Sequence, residues 1–244
     1  MKISIAIAFV ISTAYMSNAQ TLGKMISKGK ETISSGTSTS KPGLTNDEVV
    51  SGLREALTTG AKTAANAASV ADGFYKNQKI FIPWPAEAKA MKDKLVMLGM
   101  QSQVTQFEES VNRAAEEAAK SAFDVFAGAV KGMSVGDGFA ILNGSDTAAT
   151  HFLREKTTAS LTEKFTPIVK AAMDKVRVTE YWNPLVTKYN KIPGVTKQNP
   201  DLEKYVTAKA INGLMLLISE QEAKIRKDPA AQVTDLLKKV FGKS

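Results

Sequence analysis

His151 is the only histidine of the sequence, and the sequence has no cysteine. A structural zinc site and a Cys–His nucleophile are therefore not expected, because each needs ligands or partners that the chain lacks. A Ser-His-Asp triad would have to use His151, and we expect no serine presented on a nucleophile elbow. The apolar residues of a predicted helix define its buried side, and His151 lies with Arg154 and Glu155 on the opposite, polar side. We therefore interpret it as a solvated histidine.

Carboxylates offer no evident metal site. A di-iron helical bundle needs Glu-x-x-His on two helices, and this motif does not occur. No stretch has the acidic spacing of an EF-hand loop. We therefore predict neither a bound metal nor a cofactor.

Charged and polar side chains lie opposite an alanine stripe on the most regular helical stretch, which runs from Val104 to Ala129. We expect the favoured four-residue pairing between Glu116 and Lys120 on this face. A solvated charged face is one interpretation. The other is a polar seam between helices, which could bind a small polar or anionic ligand or fix helix register by ion pairs. The candidate seam residues are Asn112, Arg113, Glu116, Asp146, Arg154, Glu220 and Arg226.

Helices must position all of these residues, because apolar residues recur at three- and four-residue intervals throughout the chain beyond Leu44. Thr45 and Glu48 form a capping-box pattern at the first helix. The predicted helices are 46–68, 86–98, the stretch 104–129, 135–142, 146–157, 161–176, 180–190, 200–227 and 229–241. The fold class is all-α, a single irregular multi-helix bundle with at most one short extended segment near 79–82.

An aromatic connection joins the first two predicted helices and contains Phe74, Tyr75 and Trp84. A loop of this length must pack or stay disordered. We expect its aromatic side chains to pin it to the core, with a docking surface formed by exposed Tyr75 and Trp84 as the alternative.

The first residues have the order of a secretory signal peptide: basic Lys2, an apolar run from Ile3, and small residues at Ser17 and Ala19. The run is shorter than the roughly 20 apolar residues of a membrane span, so we expect cleavage after Ala19 and no stable membrane anchor. The predicted organisation is a signal peptide at 1–19, a flexible linker at 20–44 and a helical domain at 45–242. The expected location is periplasmic or secreted.

Several strings of the sequence resemble the bacterial family known as domain of unknown function 4197. They are GLREAL at 52–57, DGFYKN at 72–77, IPWP at 82–85, NRAAE at 112–116, ILNG at 141–144, DTAAT at 146–150, FTPIV at 165–169, KYV at 204–206, GL at 213–214 and IRKDP at 225–229. The resemblance covers about 44–241. It implies an exported helical protein of Gram-negative bacteria, and it carries over no catalytic residue.

The formal charge of +8 is the last guide to function, and loss of Lys2 with the signal peptide would leave about +7. Scattered lysines and few aromatic residues argue against nucleic acid as a partner. A positive protein is attracted to the anionic groups of a cell envelope. We therefore expect a non-enzymatic module that binds an envelope partner or anionic surface. The alternative is an enzyme or small-ligand carrier that uses the polar seam.

Overall fold

The computed structural model describes residues 43–132, 134–136 and 138–242, and these residues form an all-α bundle without a β-strand. The predicted signal peptide and nearly all of the predicted linker lie outside this range. The helices are α1 (Asn46–Ala68), α2 (Lys89–Met97), α3 (Gln101–Ala119), α4 (Ala122–Gly132), α5 (Gly138–Leu142), α6 (Ala148–Lys175), α7 (Val178–Asn190), α8 (Leu202–Lys227) and α9 (Asp235–Phe241). None of them combines the length and the apolar character that a bilayer span requires.

Helix α1 begins as predicted. The Thr45 hydroxyl accepts a hydrogen bond from the Glu48 backbone N–H, and the Glu48 carboxylate accepts one from the Thr45 N–H, which completes the capping box. The apolar face of α1 packs on α8, and α8 also packs on α6. These three helices form the centre of the bundle.

The predicted long helix over 104–129 is interrupted, and this expectation is wrong in detail. Lys120 and Ser121 form a turn between α3 and α4, closed by three-residue hydrogen bonds to the carbonyls of Glu117 and Ala118. The four-residue spacing of alanines continues across the turn, so the apolar pattern contains no sign of the break. The turn lets α3 pack on α6 and α7 while α4 packs on α1 and α6.

The predicted boundary between 157 and 161 does not exist, because α6 is one continuous helix. Threonines occupy this stretch, and the hydroxyls of Thr157 and Thr158 donate to the carbonyls four residues earlier. Such bonds satisfy the hydroxyls within the helix. Thr157 is buried in line with Leu153 and Leu161, so the core-facing side of α6 is unbroken.

Several further boundaries differ from the prediction. Helix α5 begins at Gly138 rather than at 135, and α7 begins at Val178 rather than at 180. The predicted helix 229–241 is divided into a 3-10 helix at 229–231 and α9. Residues 86–88 form a short 3-10 helix before α2. Helix α8 begins at Leu202, where the Asp201 side chain accepts from the Lys204 N–H, rather than at Pro200. The Asp228 side chain caps the 3-10 helix 229–231 by accepting from the Ala230 N–H.

The segment near 79–82 forms a turn followed by an irregular extended stretch without a strand partner. Its aromatic neighbours are pinned to the core, as expected: Phe74 and Trp84 are buried and Tyr75 is half-buried. Trp84 packs against Phe107 and Trp182, with ring centroids 4.8 Å and 5.6 Å away. Both tryptophans of the chain thus lie in one cluster.

The C-terminal helix α9 is held to α1 by an ion pair between Lys239 and Glu48. The hydrogen bond from Lys239 and that from the Thr45 N–H lower the pKa of Glu48 to about 2. A depressed folded-state pKa means that this contribution to stability is present above the usual carboxyl pKa of about 4.5 and is lost as the pH falls towards about 2.

We therefore expect Lys239→Met to lower the melting temperature at pH 6 and to make a smaller difference at pH 2, where about half of Glu48 is already protonated in the unmodified protein. Thermal melts followed by circular dichroism across this range provide the measurement. A melting-temperature difference that stays constant down to pH 2 would contradict the assignment.

Candidate functional site

The predicted polar seam does not form one cluster. The structure places four of its seven residues in two separate buried or partly buried groups and the other three in exposed side-chain contacts. We call the first group the α3 cluster (Asn112, Arg113 and Glu116, with Asp72) and the second the α8 cluster (Glu222 and Arg226, with Thr150).

Asn112 joins α3 to the extended stretch after the aromatic connection. It is fully buried, and its Oδ1 accepts from the Ile82 N–H at 2.8 Å while its Nδ2 donates to the Ile82 carbonyl at 3.0 Å. Nδ2 also donates to the Glu108 carbonyl at 2.9 Å. The side-chain amide thus supplies the hydrogen bonds that a neighbouring strand would supply, because buried backbone groups require partners.

Glu116, one turn further along α3, holds the start of the same connection. Its Oε1 accepts from the N–H groups of Phe74 and Tyr75, both at 3.1 Å. Its Oε2 accepts from Arg113 at 2.8 Å, and Arg113 also binds Asp72 at 2.8 Å. Glu116 is 5% exposed, so these bonds compensate for its removal from water.

The charges of the α3 cluster stabilise one another. The hydrogen bond between Arg113 and Glu116 is the main reason that the pKa of Arg113 is raised above its ordinary value. The hydrogen bond from Lys76 and then that from Arg113 lower the pKa of Asp72. Asp72 itself has a left-handed backbone with φ of 67°, which a non-glycine residue rarely adopts. At this turn, Asp72 forms ion pairs with Lys76 and Arg113.

Lys120 does not pair with Glu116. It binds Glu117 at 2.6 Å instead, since Glu116 points into the bundle towards Arg113 and the connection. The expected pairing on a solvated face is therefore wrong.

The α8 cluster centres on Glu222, which the sequence reasoning missed. Glu222 is fully buried, and its carboxylate accepts from the Ala149 N–H at 3.0 Å, the Thr150 N–H at 2.7 Å and the Thr150 hydroxyl at 2.6 Å. Ala149 and Thr150 lie in the first turn of α6, whose own N-cap residue, Thr147, makes no side-chain cap. A carboxylate from α8 thus caps α6 and complements its helix dipole.

Arg226 completes the α8 cluster one turn along α8. It binds Glu222 at 2.8 Å and donates to the carbonyls of Leu142 at 2.7 Å and Ile141 at 3.2 Å. These carbonyls lie at the C-terminal end of α5, where helix acceptors have no helical partners. One Glu–Arg pair therefore satisfies the end of α5 and the start of α6.

The remaining seam residues lie on the surface. Asp146 pairs with Lys227, and both side chains are about half exposed or more. Arg154 binds Asn212 on α8, and Glu220 binds Lys79 at 2.7 Å. The structure does not bring these three residues into either buried cluster.

The two clusters are occupied by the protein's own groups. The Glu116 and Glu222 oxygens accept backbone and arginine N–H groups, and the two arginines are paired with carboxylates. The α3 cluster holds an irregular segment on a helix, and the α8 cluster binds the end of α5 and the start of α6. A cavity of about 360 Å³ lies beside Arg113 and is lined also by Glu109 and Tyr181.

A second cavity, which the sequence reasoning also missed, is a groove between α4 and α6. Its volume is about 490 Å³, and its lining includes Lys156, Lys164, Ser134 and Gly128. We call it the α4–α6 groove. None of the described residues in its lining is a carboxylate.

A model of the family described as protein of unknown function (DUF4197) matches residues 43–242. The chain belongs to this family. The match spans the whole described bundle, as the resemblance of the sequence strings implies. No curated protein and no solved structure matches the chain.

The remaining chemical candidates of this DUF4197 domain lie apart from the clusters. His151 is largely exposed, with Nε2 3.2 Å from Glu155, as the helical pattern predicts. A Gly-x-Ser-x-Gly string does occur at 132–136, but its first glycine is the last residue of helix α4, so a helix and not a strand leads into it. The string therefore lacks the strand–turn–helix context of a nucleophile elbow. Within the described ranges, no three acidic or histidine side chains are grouped to hold a metal ion.

Glu222 had one signal in the sequence of this DUF4197 member. It stands four residues before Arg226, the spacing that lets a carboxylate and an arginine pair on one helix face. The pattern does not reveal that the pair faces another helix end, because this depends on how α6 crosses α8.

Proposed function

We propose that this DUF4197 protein is exported and acts as a non-enzymatic binding module, whose partner is a component of the cell envelope with an anionic surface. The signal-peptide pattern at 1–19 and the formal charge of about +7 after its loss support export and an anionic partner. The exposed lysines of the described bundle also support an anionic partner.

Unpaired surface lysines are the observation that carries this proposal. Among the described residues, several exposed lysines make no salt bridge, while the fully buried charged groups are paired within the bundle. These lysines are Lys62, Lys89, Lys94, Lys131, Lys156, Lys164, Lys188, Lys191, Lys197, Lys204, Lys209 and Lys224. The positive charge is therefore available to an external partner, and it attracts anions over about 10 Å at 0.1 M salt.

The test uses protein recovered from the periplasmic fraction of expressing Gram-negative cells, whose N-terminal residue is expected to be Gln20. This protein should co-sediment with isolated envelopes at 0.05 M salt, and the bound fraction should fall severalfold at about 1 M salt, where screening reduces the range of attraction to about 3 Å.

A control with neutral phosphatidylcholine vesicles should retain no protein. Recovery of the chain only from the cytoplasm, or with an uncleaved N-terminus, contradicts export. Retention that does not respond to salt contradicts an anionic partner.

A further inference from the structure

The α4–α6 groove has the composition of an anion site. It runs between the C-terminal half of α4 and the middle of α6, and its volume is about 490 Å³. Among the described residues of its lining, Lys156 and Lys164 are the only ionisable side chains, and Ser134 and Ser160 add hydroxyl groups. Neither lysine makes a salt bridge to a described residue. Lys156 lies over the ring of Phe152, 5.6 Å from its centroid, which leaves its three donors to the groove and solvent.

Two glycines of α4 keep the groove open. A Cβ atom at Gly128 or Gly132 would meet no atom within 4 Å. By contrast, a Cβ at Gly52 would lie 2.6 Å from Val240, and one at Gly213 would lie 3.0 Å from Ile80, so those glycines are required by packing. Glycine within a helix is destabilising, and close packing does not explain Gly128. Its missing side chain is instead what leaves space over α4.

The spacing along α6 indicates the shape of the ligand. Lys156, Ser160 and Lys164 are four residues apart, so they lie on one face of the helix. The eight-residue separation of Lys156 and Lys164 corresponds to about 12 Å along the helix axis. At this separation the two ammonium groups do not readily bind the same small anion. An extended molecule with charges along its length can contact both.

We propose that the α4–α6 groove binds an elongated anion, a chain carrying repeated phosphate or carboxylate groups, with Lys156 and Lys164 at its two ends. This deepens the proposed function and rests on it for the anionic nature of the partner. In this groove, two of the otherwise scattered lysines line one cavity of defined shape.

The first experiment is a calorimetric titration of the purified protein with inorganic tripolyphosphate, trigalacturonate and orthophosphate. At least one of the two extended anions should bind about tenfold more tightly than orthophosphate, since only an extended anion reaches both lysines. Tighter binding of tripolyphosphate assigns phosphate chains, and tighter binding of trigalacturonate assigns carboxylate chains. Equal affinity for all three anions, or no binding, overturns the proposal.

A matched pair of charge variants locates the site. Lys156→Met/Lys164→Met should weaken binding of the extended anion by about tenfold or more, because two charged contacts are lost. Lys188→Met/Lys191→Met removes the same charge from α7 and its end and should change affinity by no more than about twofold. Equal losses in the two variants would mean non-specific attraction and would overturn the groove as the site.

Gly128→Leu tests the shape of the groove without altering its charge. The leucine side chain would extend into the groove, and it replaces a helix-destabilising glycine, so binding should be lost while the melting temperature is unchanged or higher. Undiminished binding by this variant overturns the proposal. If Gly128→Leu and Lys156→Met/Lys164→Met both keep salt-sensitive envelope binding, the proposed function holds but the groove is not its site. If the protein binds the extended anion but not the envelope, the groove site holds and the proposed function fails.

Discussion

Replacement of Glu222 by alanine is expected to lower the free energy of unfolding by about 3–5 kcal/mol, the range for removing one partner of a buried ion pair. The Glu222 side chain is 1% exposed and that of Arg226 is 8% exposed, so the substitution leaves a positive charge with little access to water. It also leaves the Ala149 and Thr150 N–H groups at the start of α6 without their acceptor.

Urea unfolding followed by circular dichroism measures this loss, and Glu163→Ala is the matched control. Glu163 is exposed on α6 and forms no salt bridge with a described residue, so its replacement should change stability by less than about 0.5 kcal/mol. Glu222→Gln should fall between the two, because it keeps an acceptor but not the charge. A loss below about 1 kcal/mol for Glu222→Ala would show that the cap contributes little.

The sequence predicts the helices well because helical periodicity is a local property of buried positions. Helix α1 appears with its predicted bounds, since Thr45 and Glu48 mark its start and its apolar face is continuous. The turn at Lys120 and Ser121 was missed because two hydrogen bonds, rather than a change in residue pattern, end α3. The continuity of α6 was missed because Thr157 reads as polar although it is buried.

The candidate seam was predictable only where its residues share one helix. Asn112, Arg113 and Glu116 lie within two turns of α3, so their proximity follows from helical spacing. Asp146 and Glu220 were grouped with them by residue type, and nothing local shows that both end in exposed ion pairs. Which polar residue faces an incoming loop depends on the crossing of distant elements.

Both clusters have the same design. In each, polar side chains one turn apart on a long helix bind backbone groups that have no partner within their own segment. For α3 these groups belong to Phe74 and Ile82 in the irregular connection, and for α8 they belong to Leu142 and Ala149 at helix ends. The four residues fall within the strings that carry the family resemblance, at 72–77, 82–85, 141–144 and 146–150. Four of the ten strings therefore contain backbone groups that a side chain of α3 or α8 binds.

Asn112→Ala tests this design at the α3 cluster and is expected to cost about 2–5 kcal/mol, since it leaves both the N–H and the carbonyl of buried Ile82 without partners. Ile82 precedes Trp84, so loosening of the stretch should also shift tryptophan fluorescence to longer wavelength, and the Ile82 amide should exchange faster with deuterium. Asn66→Ala, at an exposed position of α1, removes the same group and should leave all three measurements near those of the unmodified protein. Slow exchange at Ile82 in Asn112→Ala would mean that aromatic packing alone holds the stretch and that the Asn112 side-chain amide does not stabilise it.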